Sequence, residues 1–409
     1  MTVLPGLIDQ PSGLVSEFRE QLFAIADWWI DNVFDLERGD FAGEVDEQNN
    51  VDKRADRSDI YSSRILWFFS ELAGIDDSPN YRRAAEIAYH KLIECFWDEE
   101  FGGFYWSVDF NGRVVDDKKH VYAQSFSIYA LCAYYSLTGL EDALLKALAV
   151  FQRLESDAYQ EDFGYYETFT RDWQRIEDTR LSEDEPQCAR NINTQLHLLE
   201  AYTALYMLKS EPGIFDALKS LVECFLQACI DKDSGHLKMY ANTDWSDCST
   251  FYSYGHDIEC SWLIWEAVEI LNDSELLSAC KPVVISMAES ILAEAVGEHG
   301  GIVDGYDRVE NKPITKRMWW VQAEAMVGLL NAYQLSGNLE FYRAFEKVWY
   351  FIKTQQVDQK NGEWFWHSLL DQNDSSQVHY KAGFWKAPYH NGRAMMQVCN
   401  RLASITRGV

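Results

Sequence analysis

Residues 101–106 read FGGFYW, two glycines held between aromatic side chains, and this kind of cluster returns along the whole chain. It recurs as GDFAG from Gly39, FGYYETF around Gly164, SGHLKMY around Gly235, GGIVDGY from Gly300 and NGEWFWH around Gly362. Measured between Gly39, Gly102, Gly164, Gly235, Gly300 and Gly362, the spacings are 63, 62, 71, 65 and 62 residues. Glycine tolerates the left-handed backbone of a tight turn, and aromatic alternation suits short strands, so each cluster predicts a hairpin. A fixed period of this length is the mark of a repeat architecture.

Helical patterns fill the intervals. Phe126–Leu137 (FSIYALCAYYSL), Leu196–Leu208, Trp262–Leu271 and Val321–Leu335 place apolar residues at i, i+3, i+4 and i+7, the amphipathic spacing. Short turns such as LTGLED (137–142) and LSGNLE (335–340) then restart a second helix. Each unit is a helix pair plus a hairpin. Six units in a closed ring make an all-α fold, an α/α six-barrel with short β-hairpins in its loops, spanning residues 1–409 as a single catalytic domain. The eight prolines are dispersed and mark no linker. An open solenoid is the rival. The terminal units are as aromatic as the middle ones and carry no polar cap, which favours closure.

The formal net charge is −29, which repels nucleic-acid phosphates and anionic lipid, so neither nucleic acid nor membrane is an expected partner. No apolar run is read as a membrane span, and the N-terminus lacks the pattern of a signal peptide. Nine cysteines without a C-x-x-C pair fit neither a zinc knuckle nor a disulfide framework and suit a reduced cytoplasm. There is no H-E-x-x-H and no phosphate loop, so neither a metal nor another cofactor is expected.

In this fold the inner helices point one end at a common mouth, where polar residues line a pocket. His197 lies early in one predicted inner helix; His256 and His390 lie just before two others, equivalent points of different repeats. A histidine on an apolar helix is ordinarily a core residue, but three at matching positions point to function. Imidazole takes and gives a proton near neutral pH. Arg64, in YSSRILWFF and one residue into a strongly apolar helix, either joins a buried ion pair or faces the pocket. Glu259 shares a helical face with His256 and can orient that histidine or bind a sugar hydroxyl, and Glu324 follows Trp319 and Trp320 as a similar inward candidate. Sugars stack their C–H faces on indoles. Trp319, Trp320, Trp364, Trp366 and Trp385 cluster in the last two repeats, whereas Trp28, Trp29, Trp67 and Trp349 read as core.

SRILWFF from Ser63, KHVYAQSFSIYAL from Lys119, the N-x-x-x-H of Asn193 and His197, SYGHDIE from Ser253, WWVQAEA from Trp319 and WKAPYHNGR from Trp385 together resemble the N-acylglucosamine 2-epimerase superfamily. Within it they are most similar to cellobiose 2-epimerases. The resemblance implies an α/α six-barrel and a cofactor-independent exchange of the C2 proton of a reducing sugar through a cis-enediolate. His256 and His390 match the acid/base pair, and His197 and Arg64 match contacts to the reacting oxygens. Tyr122, Asn193, Glu259 and Trp319 match pocket residues, and Trp385 matches a stacking indole. Ser62 and Ala387 stand where close relatives often carry histidine and cysteine, and the basic residues before Asn193 are reduced to Arg190 and Asn191. The implied partner is a small-molecule sugar, a mono- or disaccharide, and the chain is expected to be a cytoplasmic monomer or weak homo-oligomer. A mannose/glucose epimerase or a mannose–fructose isomerase shares the same intermediate. A glycoside hydrolase, using Asp257, Glu259 or Glu324, and a non-catalytic sugar-binding barrel are the remaining alternatives.

Overall fold

A computed structural model describes residues 11–160, 164–183, 185–372 and 379–407. Among them are twelve α-helices: α1 (Pro11–Asn32), α2 (Asp59–Ile75), α3 (Pro79–Lys91), α4 (Val121–Thr138), α5 (Glu141–Arg153), α6 (Ile192–Leu208), α7 (Pro212–Cys224), α8 (Tyr254–Leu271), α9 (Ser274–Glu294), α10 (Trp319–Ser336), α11 (Leu339–Phe351) and α12 (His390–Arg407). The turns inside the pairs are set by residues that accept a left-handed backbone. Gly139 ends α4 at φ 68°, Asn272 ends α8 at φ 51° and Gly337 ends α10 at φ 71°.

Helices α2, α4, α6, α8, α10 and α12 form an inner ring; α3, α5, α7, α9, α11 and α1 pack outside it. The inner helices depart from the amphipathic expectation. In α4 every residue from Val121 to Ile128 is buried, and α10 is buried without interruption from Val321 to Tyr333. Neighbours on both sides, the outer layer and the barrel interior cover them all round. The outer helices carry the amphipathic stripe instead, as at Ala143, Leu144, Ala147, Val150 and Phe151 of α5. Helix α9 corrects a second expectation, since by length and composition it could cross a bilayer. Its buried residues Leu276, Cys280, Val284, Met287 and Ile291 recur at helical spacing against the barrel.

The ring closes, and it closes out of step with the chain. Helix α1 is the outer partner of α12, so the first helix completes the last pair. Trp28 Nε1 donates to Asn361 O (2.8 Å) and Trp29 Nε1 to Glu363 Oε1 (3.0 Å). Strand Tyr380–Ala382 pairs antiparallel with Glu44–Asp46. Gly392 of α12 abuts Phe68 of α2 so closely that a Cβ there would lie 2.2 Å from the ring.

The six repeated clusters are tight hairpins. Gly39, Gly102, Gly164, Gly235, Gly300 and Gly362 all have positive φ, between 66° and 89°. Bridges such as Trp97–Phe104, Tyr159–Tyr165 and Val296–Ile302 close them. A device invisible in the periodicity pins these turns to the inner helices. The fourth residue of α4, α6 and α10 is glutamine, and each brackets one backbone unit of a hairpin. Gln124 accepts from Phe104 N and donates to Phe104 O, both at 2.8 Å. Gln195 treats Tyr165 likewise, at 3.0 and 3.2 Å, and Gln322 treats Ile302, at 2.8 and 2.8 Å. In α8 the fourth residue is Asp257, which accepts from Leu237 N (2.7 Å) and holds His236 Nδ1 (2.8 Å). Replacing Gln124 by leucine strands a buried amide and a buried carbonyl. The expected loss is about 2–4 kcal/mol of stability, read from the shift of the urea unfolding midpoint.

Candidate active site

A cavity of about 400 Å³ opens where the inner helices begin. Every site residue expected from the sequence lines it except Glu324. Two helix positions supply most of them. The second residue is Tyr122 in α4, Asn193 in α6 and Trp320 in α10; the sixth is Arg64 in α2, His197 in α6, Glu259 in α8 and Glu324 in α10. One register of the repeat therefore delivers an arginine, a histidine and two glutamates to one level of the barrel.

His256 and His390 both pack against the indole of Trp320, with ring centroids 4.7 and 5.6 Å from it. Each is anchored through Nδ1. His390 Nδ1 lies 2.7 Å from Glu324 Oε1, and His256 Nδ1 lies 2.7 Å from Ser253 Oγ. Burial raises the Glu324 carboxyl and Arg393 opposes it; in its ionised form Glu324 can only accept from an imidazole, which puts the His390 proton on Nδ1 and leaves the Nε2 lone pair for the cavity. Ser253 can donate to His256, which puts the His256 proton on Nε2. Burial, with the positive field of His197, lowers His256 to about 3. Burial, with Arg64 and Arg393 nearby, holds His390 well below the ordinary histidine range. Both rings are neutral at neutral pH.

Beneath them lies a buried charge cluster centred on Arg393, which the sequence reading did not single out. Its Nη2 donates to Glu259 Oε1 (2.5 Å) and Glu324 Oε1 (2.7 Å). Its Nη1 donates to Glu200 Oε1 and contacts the Tyr389 hydroxyl. Glu200 Oε2 in turn holds His197 Nδ1 (2.9 Å) and Tyr389 Oη (2.5 Å). Burial alone would raise the Glu200 carboxyl, but Arg393 and His197 outweigh it and lower it. Burial and the neighbouring Glu324 push Glu259 up to about 7. Glu259, Glu324 and His390 have ligand types that could hold a metal ion. In this cluster the Arg393 guanidinium supplies the positive charge between the two carboxylates.

The structure revises three sequence assignments. Glu324 sits behind His390 as its anchor and does not line the cavity. Glu259 bonds Arg393, and Ser253 orients His256. Asp257 turns away from the cavity to His236 and Leu237, so it is not a cavity carboxylate.

Arg64 resolves toward the pocket. It donates to Trp385 O (3.0 Å) and Tyr122 Oη (2.9 Å) and lies 4.2 Å above the Phe126 ring. Among the described residues it joins no ion pair, so its charge faces the cavity. Arg64 Nε, Asn193 Oδ1, Glu259 Oε2 and Trp319 Nε1 are buried without a hydrogen-bond partner. Donors and acceptors are thus both on offer beside the indoles of Trp319, Trp320 and Trp385. Trp366, Met318, Leu181, Ser182 and Glu185 also line the space. Trp366 lay in the tryptophan cluster already noted; the segment holding Leu181, Ser182 and Glu185 has no periodicity to mark it. Trp364 is buried core, as are Trp28, Trp29, Trp67 and Trp349. Ser62 and Ala387 are buried, and Arg190 stacks on Trp245 outside the cavity (4.2 Å).

The model of the N-acylglucosamine 2-epimerase (GlcNAc 2-epimerase) family matches residues 39–394. The chain belongs to this family. It is 36% identical over 387 residues to a cellobiose 2-epimerase of Bacteroides fragilis, covering 94% of this chain and 98% of that one. The structure of cellobiose 2-epimerase from Bacillus thermoamylovorans superimposes with a TM-score of 0.89 at 35% identity, over 95% of this chain and 99% of that one. A D-mannose isomerase of Marinomonas mediterranea is 21% identical over 359 residues, covering 84% and 86% of the two chains. The family assignment fits the α/α barrel and the placement of the matched motifs around a single cavity.

The depressed His256 has a consequence for stability. Its folded value, about 3, lies below the unfolded one, so the stability tied to its neutral form is present above about pH 6.5 and is lost as pH falls toward 3. Between pH 7 and 5 the urea midpoint should fall, and more shallowly in His256→Gln, by up to about 1 kcal/mol per pH unit.

Proposed function

We propose that the chain interconverts glucose- and mannose-configured reducing ends by C2 epimerisation, with a cellobiose-type β-1,4 disaccharide as substrate. The observation that carries this reading is the pair of neutral histidines packed against Trp320, lining a cavity into which Arg64 brings an unpaired charge. Two proton carriers in one cavity suit removal of a proton from one face of a carbon and delivery to the other.

In this reading the open-chain aldehyde makes the C2 proton acidic. His390 Nε2 takes it, and the resulting imidazolium is held by Glu324 through Nδ1. Negative charge spreads over O1 and O2 of the enediolate, where Arg64 and His197 stabilise it. Rotation about C2–C3 presents the opposite face; His256 gives its Nε2 proton to C2 and regains one from the His390 imidazolium through solvent, so both rings end neutral. In reverse, His256 with its proton on Nδ1 toward Ser253 Oγ takes the C2 proton, and solvent relays it to His390 Nε2, which returns it. Tyr122, Asn193, Glu259 and Trp319 bind hydroxyls, Trp320 packs against both acid and base, and Trp385 stacks on a sugar ring. No nucleotide or metal takes part in these steps. A cytoplasmic enzyme fits this chemistry on soluble sugars.

Two neighbouring readings are weighed by specific contacts. The D-mannose isomerase similarity keeps aldose–ketose exchange as the second reading, since reprotonation at C1 in place of C2 gives a ketose from the same intermediate. Hydrolysis needs two carboxylates set apart across a glycosidic bond. Here Glu259 and Glu324 accept from the same Arg393 nitrogen, which disfavours that role.

Proton NMR in heavy water tests the proposal. With cellobiose, deuterium should enter C2 as the mannose-configured disaccharide appears, and His390→Asn should abolish the exchange. Fructose from mannose, with cellobiose inert, selects the isomerase; no exchange with either sugar sinks both. Glu324→Gln removes the charge behind His390 and should lower kcat about 10- to 100-fold, by analogy with losses at residues that orient a functional histidine, while KM changes little.

A further inference from the structure

Cys188 and Cys248 lie far apart in sequence, yet their sulfurs are 2.7 Å apart, with the Cys248 thiol donating to Cys188. Both are half-buried; the other close pair, Cys224 and Cys229 at 3.7 Å, is buried. Cys188 stands just before strand Arg190–Asn191, which leads into α6 and His197. Cys248 stands just before strand Phe251–Ser253, which leads into α8 and His256.

The pair connects directly to the cavity. Cys248 N donates to Tyr240 O (3.0 Å), and the Tyr240 strand pairs with Arg190–Asn191. The Tyr240 hydroxyl bonds Glu185. Glu185 Oε2 accepts from Leu181 N (2.9 Å) and from Asn191 Nδ2 (3.3 Å). Glu185, Leu181 and Ser182 form one wall of the cavity. Thr179 Oγ1 donates to Cys188 O (2.5 Å), tying the other end of that wall to the same cysteine.

We propose that Cys188 and Cys248 form a reversible disulfide that staples the cavity wall carrying Leu181, Ser182 and Glu185 to the segment entering α8. The oxidant is a low-molecular-weight disulfide. Cys188, whose sulfur accepts the hydrogen bond from Cys248, attacks first as its thiolate, formed by solvent base. It forms a mixed disulfide and expels one small thiolate, which takes up the proton Cys188 lost. Cys248, deprotonated by solvent base, then attacks Cys188 Sγ, forms the Sγ–Sγ bond and expels the second small thiolate, which is protonated in turn. Two protein thiols are oxidised by two electrons and the small disulfide is reduced to two thiols. The closed loop restricts local opening of the wall. This staple is independent of which sugar the cavity takes.

The test uses the full chain equilibrated with glutathione disulfide, alkylated and digested without reductant. The expected product is one peptide pair joining Cys188 to Cys248 with the loss of two hydrogen masses, with Cys224 and Cys229 fully alkylated. On the intact protein, trypsin cleavage after Arg180 should slow by about tenfold on oxidation and recover with dithiothreitol, in the unaltered chain but not in Cys188→Ser. Alkylation of both cysteines after oxidation, a stable glutathione adduct at Cys188, or a linked pair with unchanged cleavage would each overturn the proposal.

Discussion

The constraint on which the site depends is the single guanidinium of Arg393, buried among three carboxylates. Three acids in a dry interior repel one another, and each would be driven to its neutral form. Arg393 donates to Glu200, Glu259 and Glu324, and through them its charge reaches both sides of the cavity. On one side Glu324, kept able to accept, fixes the proton of His390 on Nδ1. On the other Glu200 orients His197. His390 can then be neutral and directional at once, burial supplying the first and Glu324 the second.

The repeat explains how such a cluster could be assembled from an ordinary barrel. The fourth residue of an inner helix pins a hairpin in α4, α6, α8 and α10. In α12 that same position is Arg393, released from hairpin duty into the charge cluster. The sixth residue is apolar in α4 and α12, as Phe126 and Met395, and polar in the other four. A scaffold whose backbone is held by repeated contacts at one position is free to vary another, and here the varied position faces the cavity.

The fold was legible because its two signals are local: a period of about sixty residues and six turn glycines whose φ values are all positive. Most cavity residues were legible because they fall in short motifs at inner-helix starts. The inner helices misled in one respect, since an apolar stripe and an all-round burial look alike where polar residues are few. Glu324 and Arg393 were harder for a different reason. Both lie in quoted motifs, yet which carboxylate a buried arginine meets depends on residues 69 and 134 positions away, a contact no spacing encodes. The wall holding Leu181, Ser182 and Glu185 is irregular backbone, set by hydrogen bonds to Glu185 that leave no pattern in the sequence.

The offset of the ring has a meaning for synthesis. Helix α1 is synthesised long before α12, yet the surface it covers belongs to α12. At roughly 5–20 residues per second, the interval before that surface exists is on the order of twenty seconds to over a minute. During it the apolar face around Phe18, Leu22, Ile25 and Trp29 has only part of its final partners. The nascent chain therefore presents an adhesive helix for most of its translation. The latch that seals the barrel is therefore the last contact of the fold to form.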